Sequence, residues 1–260
     1  MNSPADKLRV RITVMLGSSD ADRTTLELLS LLTAETPAEI LGLFLEDSEL
    51  LALAELPVAR EFCQLTHSER RLEAADLERQ LRIQARAAEQ ALASIAGRSG
   101  FNWSFRTVRG SLAGLLAEAM REMDLLLLSA TRSIQPLRSI PVLPRAALRP
   151  VAVIFDGSEA AQRALSVAGR MATAGKQPLV ILLIAAGPGD QAALQARAAT
   201  LVESAVAEYR ALASAEPDTM LAAAHATRAS ALVIGLSDLL SPAAIELLRS
   251  RLRCPAVLVR

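Results

Sequence analysis

The sequence predicts an α/β fold made of two tandem doubly wound parallel-sheet domains. Three observations predict it. Residues 151–172 (VAVIFDGSEAAQRALSVAGRMA) run from an unbroken apolar stretch through Asp156-Gly157-Ser158 into an amphipathic pattern, the signature of a buried strand, a tight turn and a helix start. Residues 10–32 (VRITVMLGSSDADRTTLELLSLL) carry a weaker copy. Further apolar runs alternate with helix-length segments in both halves, which implies parallel strands covered on both faces.

In the first half, 9–16 reads as a strand, 21–32 as a helix and 39–46 (EILGLFLE) as a second strand. An insertion over 47–68 follows. A charged helix is expected over 69–96, because Leu77, Leu81, Ala85, Ala88, Leu92 and Ile95 recur at spacings of three and four. Gly97 to Gly100 ends it. Residues 101–108 alternate like a strand, Ser111 caps the next helix, and 124–129 (DLLLLS) is a buried strand. Pro136, Pro141 and Pro144 exclude one regular helix over 130–149. That stretch reads as a linker with a remnant strand near 140–143.

In the second half, strands are expected at 150–155, 178–185, 231–235 (ALVIG) and 255–259 (PAVLV), with helices at 158–173, 191–213, 219–227 and 242–252. The strand between the second and third helices is expected to be missing or very short, so the second domain reads as shortened. The division predicted is 1–145 and 146–260, each about the size of an ordinary domain.

The composition bounds the function. The chain has 260 residues, is 52% apolar and 22% charged, and has zero formal net charge. It is therefore a globular chain with no bulk field favouring nucleic acid or an anionic membrane. Only 3% of residues are aromatic, too few for base-stacking platforms. The apolar runs fall short of a bilayer span, and the N-terminus lacks a signal-like segment. Cys63 and Cys254 lie far apart in sequence. No disulfide framework is expected, and a cytoplasmic location is.

Chemistry-bearing motifs are sparse. His67 and His225 lack metal-ligand companions, so no metal site is expected. No G-x-S-x-G elbow or Ser-His-Asp ordering is present. In Gly110-Ser111-Leu112-Ala113-Gly114 the serine stands in the wrong place. Cys254, before Pro255 at a strand start, reads as packing. Arg70, Arg71, Arg79, Arg82 and Arg86 interleave with Glu69, Glu73, Asp76, Glu78 and Glu89, as on a self-paired solvated face. The insertion (DSELLALAELPVAREFCQLTHS) holds Leu50, Leu51, Leu53, Leu56, Val58 and Phe62, too many apolar groups for a solvent loop. It is expected to cover the sheet's end or form a lid, with docking of a partner as the alternative.

The order and spacing of VAVIFDGSEAAQRAL (151–165), Arg109-Gly110 before a helix, MDLLLLS (123–129), ALVIG and CPAVLV (254–259) resemble the universal stress protein family in its tandem form. Asp124 sits where the family has an aspartate before the fourth strand, and Ser230 holds that place in the second half. The resemblance implies a universal-stress-protein and adenine-nucleotide-hydrolase-like fold, with the halves packed as an intramolecular pseudo-dimer through their terminal strands. It also implies a nucleotide crevice at the strands' carboxyl ends, with Asp156, Gly157, Ser158 and Gly235 as the nucleotide-binding residues. The family's glycine loop supplies backbone N–H groups for phosphates.

The chain departs from that loop. Asp238 and Leu248 stand where glycines are expected, Ser129-Ala130-Thr131-Arg132 replaces the turn in the first half, and Leu16 stands in the place of Asp156. The expectation is therefore no cofactor and no enzymatic activity. The role expected is regulatory or protective, in a bacterial-type stress response, through protein partners or self-association. ATP or AMP sensing by the second domain is one alternative, and carriage of an apolar small ligand is another.

Overall fold

The computed structural model describes residues 9–17, 19–33, 37–63, 67–129, 149–185, 187–202, 207–236 and 241–260. The first half supplies β1 (Val10–Leu16), α1 (Ser19–Thr33), β2 (Ala38–Asp47), α2 (Ser48–Ala54), β3 (Arg60–Cys63), β4 (Ser68–Arg71), α3 (Ala74–Ser99), β5 (Asn102–Gly110), α4 (Leu112–Glu122) and β6 (Leu125–Leu128). The second supplies β7 (Val151–Phe155), α5 (Glu159–Gly175), β8 (Leu179–Ile184), α6 (Pro188–Leu201), β9 (Ala207–Leu212), α7 (Pro217–Ala226), β10 (Ala231–Gly235), α8 (Pro242–Arg251) and β11 (Ala256–Val259). The division between 145 and 146, the remnant strand at 140–143 and most of the 130–149 linker lie outside the described residues.

One nine-stranded sheet runs through both halves in the order β5-β2-β1-β6-β11-β10-β7-β8-β9. Within each half every pairing in this sheet is parallel, and β3 and β4 pair antiparallel in a separate two-stranded ribbon. The first strand of each half lies between its second and fourth, so the two halves repeat one winding. They meet where β11 pairs antiparallel with β6, from Ala256↔Leu128 to Val259↔Leu125. All eight residues at this seam are buried.

Alternation along the strands divides the core between the two faces. Ile12, Val14, Leu127, Val153, Val233 and Val257 enter one core with α1, α2, α3, α5 and α6. Met15, Leu126, Leu128, Ile154, Ile234 and Leu258 enter the other with α4, α7 and α8. Each core extends across both halves. The periodicity of α3 holds: its six expected core positions are buried, and Gly100 ends the helix with φ +70°.

Two expectations are corrected. Residues 68–71 form a strand paired with 60–63, and the long helix begins at Ala74. The sequence Ser-Glu-Arg-Arg has no apolar alternation to announce a strand. The third strand of the second half is present as β9, AEYRAL, parallel to β8. Ala, Glu, Arg and Leu favour helix intrinsically, and a half-exposed edge strand needs few apolar residues. The second half is shorter for another reason: α6 has 14 residues where α3 has 26.

Cys254 packs in the second core, 5% exposed. Burial pushes its thiol up to about 11, partly offset by Arg149. The neutral thiol is favoured in the folded state, so this site's contribution to stability is present below the ordinary value of 9.0 and is lost between there and about 11. In a Cys63→Ser background, Ellman's reagent at pH 8 should leave Cys254 unmodified until urea unfolds the chain. Rapid labelling of the native protein would contradict this burial.

Candidate functional site

The doubly wound order places a crevice beside the first strand of each half, at the carboxyl end where the winding reverses. In the second half the structure brings Asp156, Gly157, Ser158 and Gly235 to one joint between β7, α5 and β10. Their polar groups serve the chain itself. Asp156 Oδ1 accepts from the Ser158 backbone N–H at 2.9 Å. Ser158 Oγ accepts from the Ala161 N–H at 3.1 Å and caps α5. Gly157 takes φ +81°, and a Cβ there would lie 2.6 Å from Leu194 Cδ2 of α6.

Gly235 is fixed by closer packing. A Cβ on it would lie 2.4 Å from the Ala160 carbonyl carbon and 2.7 Å from the Ala161 nitrogen. The first turn of α5 therefore rests directly on the end of β10. Leu248, in the place of a family glycine, is 2% exposed within the core. Asp238 lies outside the described residues, as do Ala130, Thr131 and Arg132.

The first half is built differently at the equivalent joint. Leu125 faces Ile12 across β6–β1, and Ala231 faces Val151 across β10–β7. Counting along this register, Gly17 occupies the position of Asp156, and Leu16 matches Phe155. The expected match of Leu16 to Asp156 is one residue out, because β1 has 7 residues and β7 has 5. Ser129 takes the place of Gly235 and donates from Oγ to the Met15 carbonyl at 3.1 Å. A cleft of about 250 Å³ lies beside it. Gly17, Phe44, Asp47, Gln84 and Ser129 line it, together with Arg249 from α8 of the second half. Arg249 Nη2 also bonds Glu246 Oε1 at 3.1 Å. Arg249 was not singled out in the sequence, because only the antiparallel seam carries α8 across to the first half.

Asp124 and Ser230 keep corresponding structural roles. Asp124 Oδ2 accepts from the Arg11 N–H at 2.8 Å, and Ser230 Oγ donates to the Pro150 carbonyl at 3.1 Å. Each anchors its strand to the start of the first strand of its half. Among the described residues no group of three or more His, Cys, Asp or Glu is arranged to hold a metal ion. None of the described helices is long and apolar enough to cross a membrane.

The insertion is only partly a cover. Leu51 and Ala54 of α2 are buried against the sheet's end. Leu50, Leu53, Leu56, Val58 and Phe62 are exposed, Val58 by 81% and Phe62 by 60%. The expectation of a cover holds for Leu51, which with Ala54 seats α2, and is corrected for the other five apolar side chains, which are left in solvent.

The joint at Gly235 makes a direct test. Gly235→Ala forces a Cβ into helix backbone and should cost about 1–3 kcal/mol or more. Ser158→Ala removes a cap and should cost about 1 kcal/mol. Urea midpoints measure both, and a neutral Gly235→Ala would contradict the packing described.

No family model and no curated protein matches the sequence. Solved structures do. A universal stress protein from Archaeoglobus fulgidus DSM 4304 aligns with TM-score 0.55 and 12% identity, over 95% of this chain and 96% of that one. A universal stress protein from Archaeoglobus fulgidus aligns over 44% of this chain and 95% of its own, with 21% identity and TM-score 0.38. A universal stress protein in complex with cAMP aligns over 44% and 99%, with 19% identity and TM-score 0.38. The full-length alignment shows that this chain has the fold of universal stress proteins, wound twice into one sheet.

Proposed function

We propose that the chain is a non-catalytic protein of universal-stress-protein type, acting in the cytoplasm in a regulatory or protective role by binding another macromolecule. One observation carries the reading: five large apolar side chains stand in solvent within residues 50–62. Clustered apolar exposure on an otherwise well-buried fold marks an interaction surface. Nucleotide sensing by the second half is disfavoured, because Gly235 is packed against the first turn of α5, and Asp156 and Ser158 accept from N–H groups of their own turn. The outward-facing Leu53, Val58 and Phe62 speak against a lid over an apolar ligand.

A second reading is favoured by one feature, the first-half cleft with Arg249 on its wall. Its polar lining, Arg249 with Asp47, Gln84 and Ser129, suits a small ligand that carries both donors and acceptors. At about 250 Å³ the cleft is below the roughly 300–1,000 Å³ usual for ligand pockets, so a whole nucleotide does not fit it as it stands.

Calorimetry separates the readings. Titration with ATP, AMP and cyclic AMP should give no binding heat. Heat that disappears on Asp156→Ala would overturn the non-nucleotide reading of the second half. Heat that survives there and disappears on Arg249→Gln would establish the first-half cleft instead.

A further inference from the structure

We propose that the cleft between α4 and the face of β1, β2 and β5 is a binding site for a small organic cation with an apolar body. The cleft lies toward the amino ends of these strands, away from the cleft that holds Arg249, and the inference is independent of the insertion.

Strand register builds the floor. Thr13 aligns with Leu41 and Leu41 with Ser104, and the next row aligns Leu43 with Arg106. These positions alternate onto the sheet face that carries Met15. α4 packs over this face, and Leu115, Glu118 and Glu122 recur along one side of it at spacings of three and four. Between helix and sheet lies a cleft of about 350 Å³, within the roughly 300–1,000 Å³ of small-ligand pockets. Leu41, Leu43, Val108 and Leu115 give it an apolar lining. The second half closes at the same place. Counted in register, Ala152 and Val180 match Thr13 and Leu41, and both are buried.

Two features point to a ligand. Thr13 is only 5% exposed, and its hydroxyl makes no hydrogen bond among the described residues. Every fully enclosed side-chain N or O atom that is described has a partner. The Thr13 hydroxyl therefore opens into the cleft, where a bound polar group would satisfy it. The second feature is charge. Three carboxylates line the cleft, from Glu39, Glu118 and Glu122, against two guanidinia, from Arg11 and Arg106. Arg11 already has Asp124 at 3.9 Å and Glu39 in register beside it. Arg106 is exposed on the edge strand β5, so one guanidinium remains for the two carboxylates of α4. Glu118 and Glu122 have no ion-pair partner among the described residues, and they repel each other one turn apart. Glu122 ends α4, where the helix dipole disfavours negative charge. A cation beside them relieves both costs. The carboxylates are not gathered closely enough to hold a metal ion, which favours a larger organic cation. Its apolar body lies on Leu41 and Leu43, its ammonium faces Glu118 and Glu122, and the Thr13 hydroxyl accepts from an N–H.

Calorimetric titration of the full chain at neutral pH with hexylamine, hexan-1-ol and hexanoate tests this, because the three share an apolar body and differ in charge. Hexylamine should bind saturably with a Kd of about 1 mM, as suits so small a ligand. Hexan-1-ol should bind about fivefold more weakly, and hexanoate more weakly still. Glu118→Gln with Glu122→Gln should weaken hexylamine about fivefold and leave hexan-1-ol unchanged. Both residues are exposed, so the urea midpoint of this variant should not fall. Thr13→Val, which keeps the side chain's shape, should weaken hexylamine about threefold. Added salt should narrow the gap between hexylamine and hexan-1-ol. Equal binding of the three probes or tighter binding of hexanoate overturns the proposal. So does the absence of saturable hexylamine binding up to about 10 mM, or hexylamine binding indifferent to the double Gln variant.

Discussion

The antiparallel pairing of β6 with β11 is the constraint on which the rest of the structure depends. It reverses strand direction once, between two parallel halves, and so turns a repeated sequence into one sheet. Its four residue pairs are buried on both sides of the sheet. Neither half would leave this edge satisfied alone, since both strands present Leu, Val and Ala to helices from both halves. The Arg260 N–H extends the seam by donating to the Asp124 carbonyl at 3.0 Å, and Arg163 Nε donates to Arg260 O at 2.8 Å.

The seam also explains the unequal crevices. In the second half Gly235 allows the first turn of α5 to settle on the end of β10. In the first half Ser129 holds that position, a cleft stays open, and the seam brings Arg249 to its wall. Asp156-Gly157-Ser158, the most ligand-like triplet in the sequence, is occupied in shaping a turn and capping a helix.

The legible parts of the fold were those fixed by local physics. Apolar runs with turn residues at their ends marked β1, β7, β10 and β11, and the three-and-four spacing marked α3. What escaped was decided by tertiary partners. AEYRAL becomes an edge strand only because β8 offers it a ladder. SERR becomes a strand only by pairing with REFC. Gly17 as the counterpart of Asp156 emerges only from the register of β1 on β6. For the site, Asp156, Gly157, Ser158 and Gly235, expected as nucleotide-binding residues, meet at one joint, but their close packing against α5 and α6 depends on approach distances that a sequence does not carry. Arg249 was invisible for the same reason.

If the seam makes one folding unit, the halves must unfold together. The chain has one tryptophan and one tyrosine. Trp103 lies on β5 and Tyr209 on β9, at opposite edges of the sheet. The most direct measurement is urea unfolding followed by Trp103 fluorescence, by Tyr209 absorbance and by far-ultraviolet circular dichroism. The account predicts coincident curves with a single midpoint. Separate midpoints for Trp103 and Tyr209 would show two independent domains and contradict it.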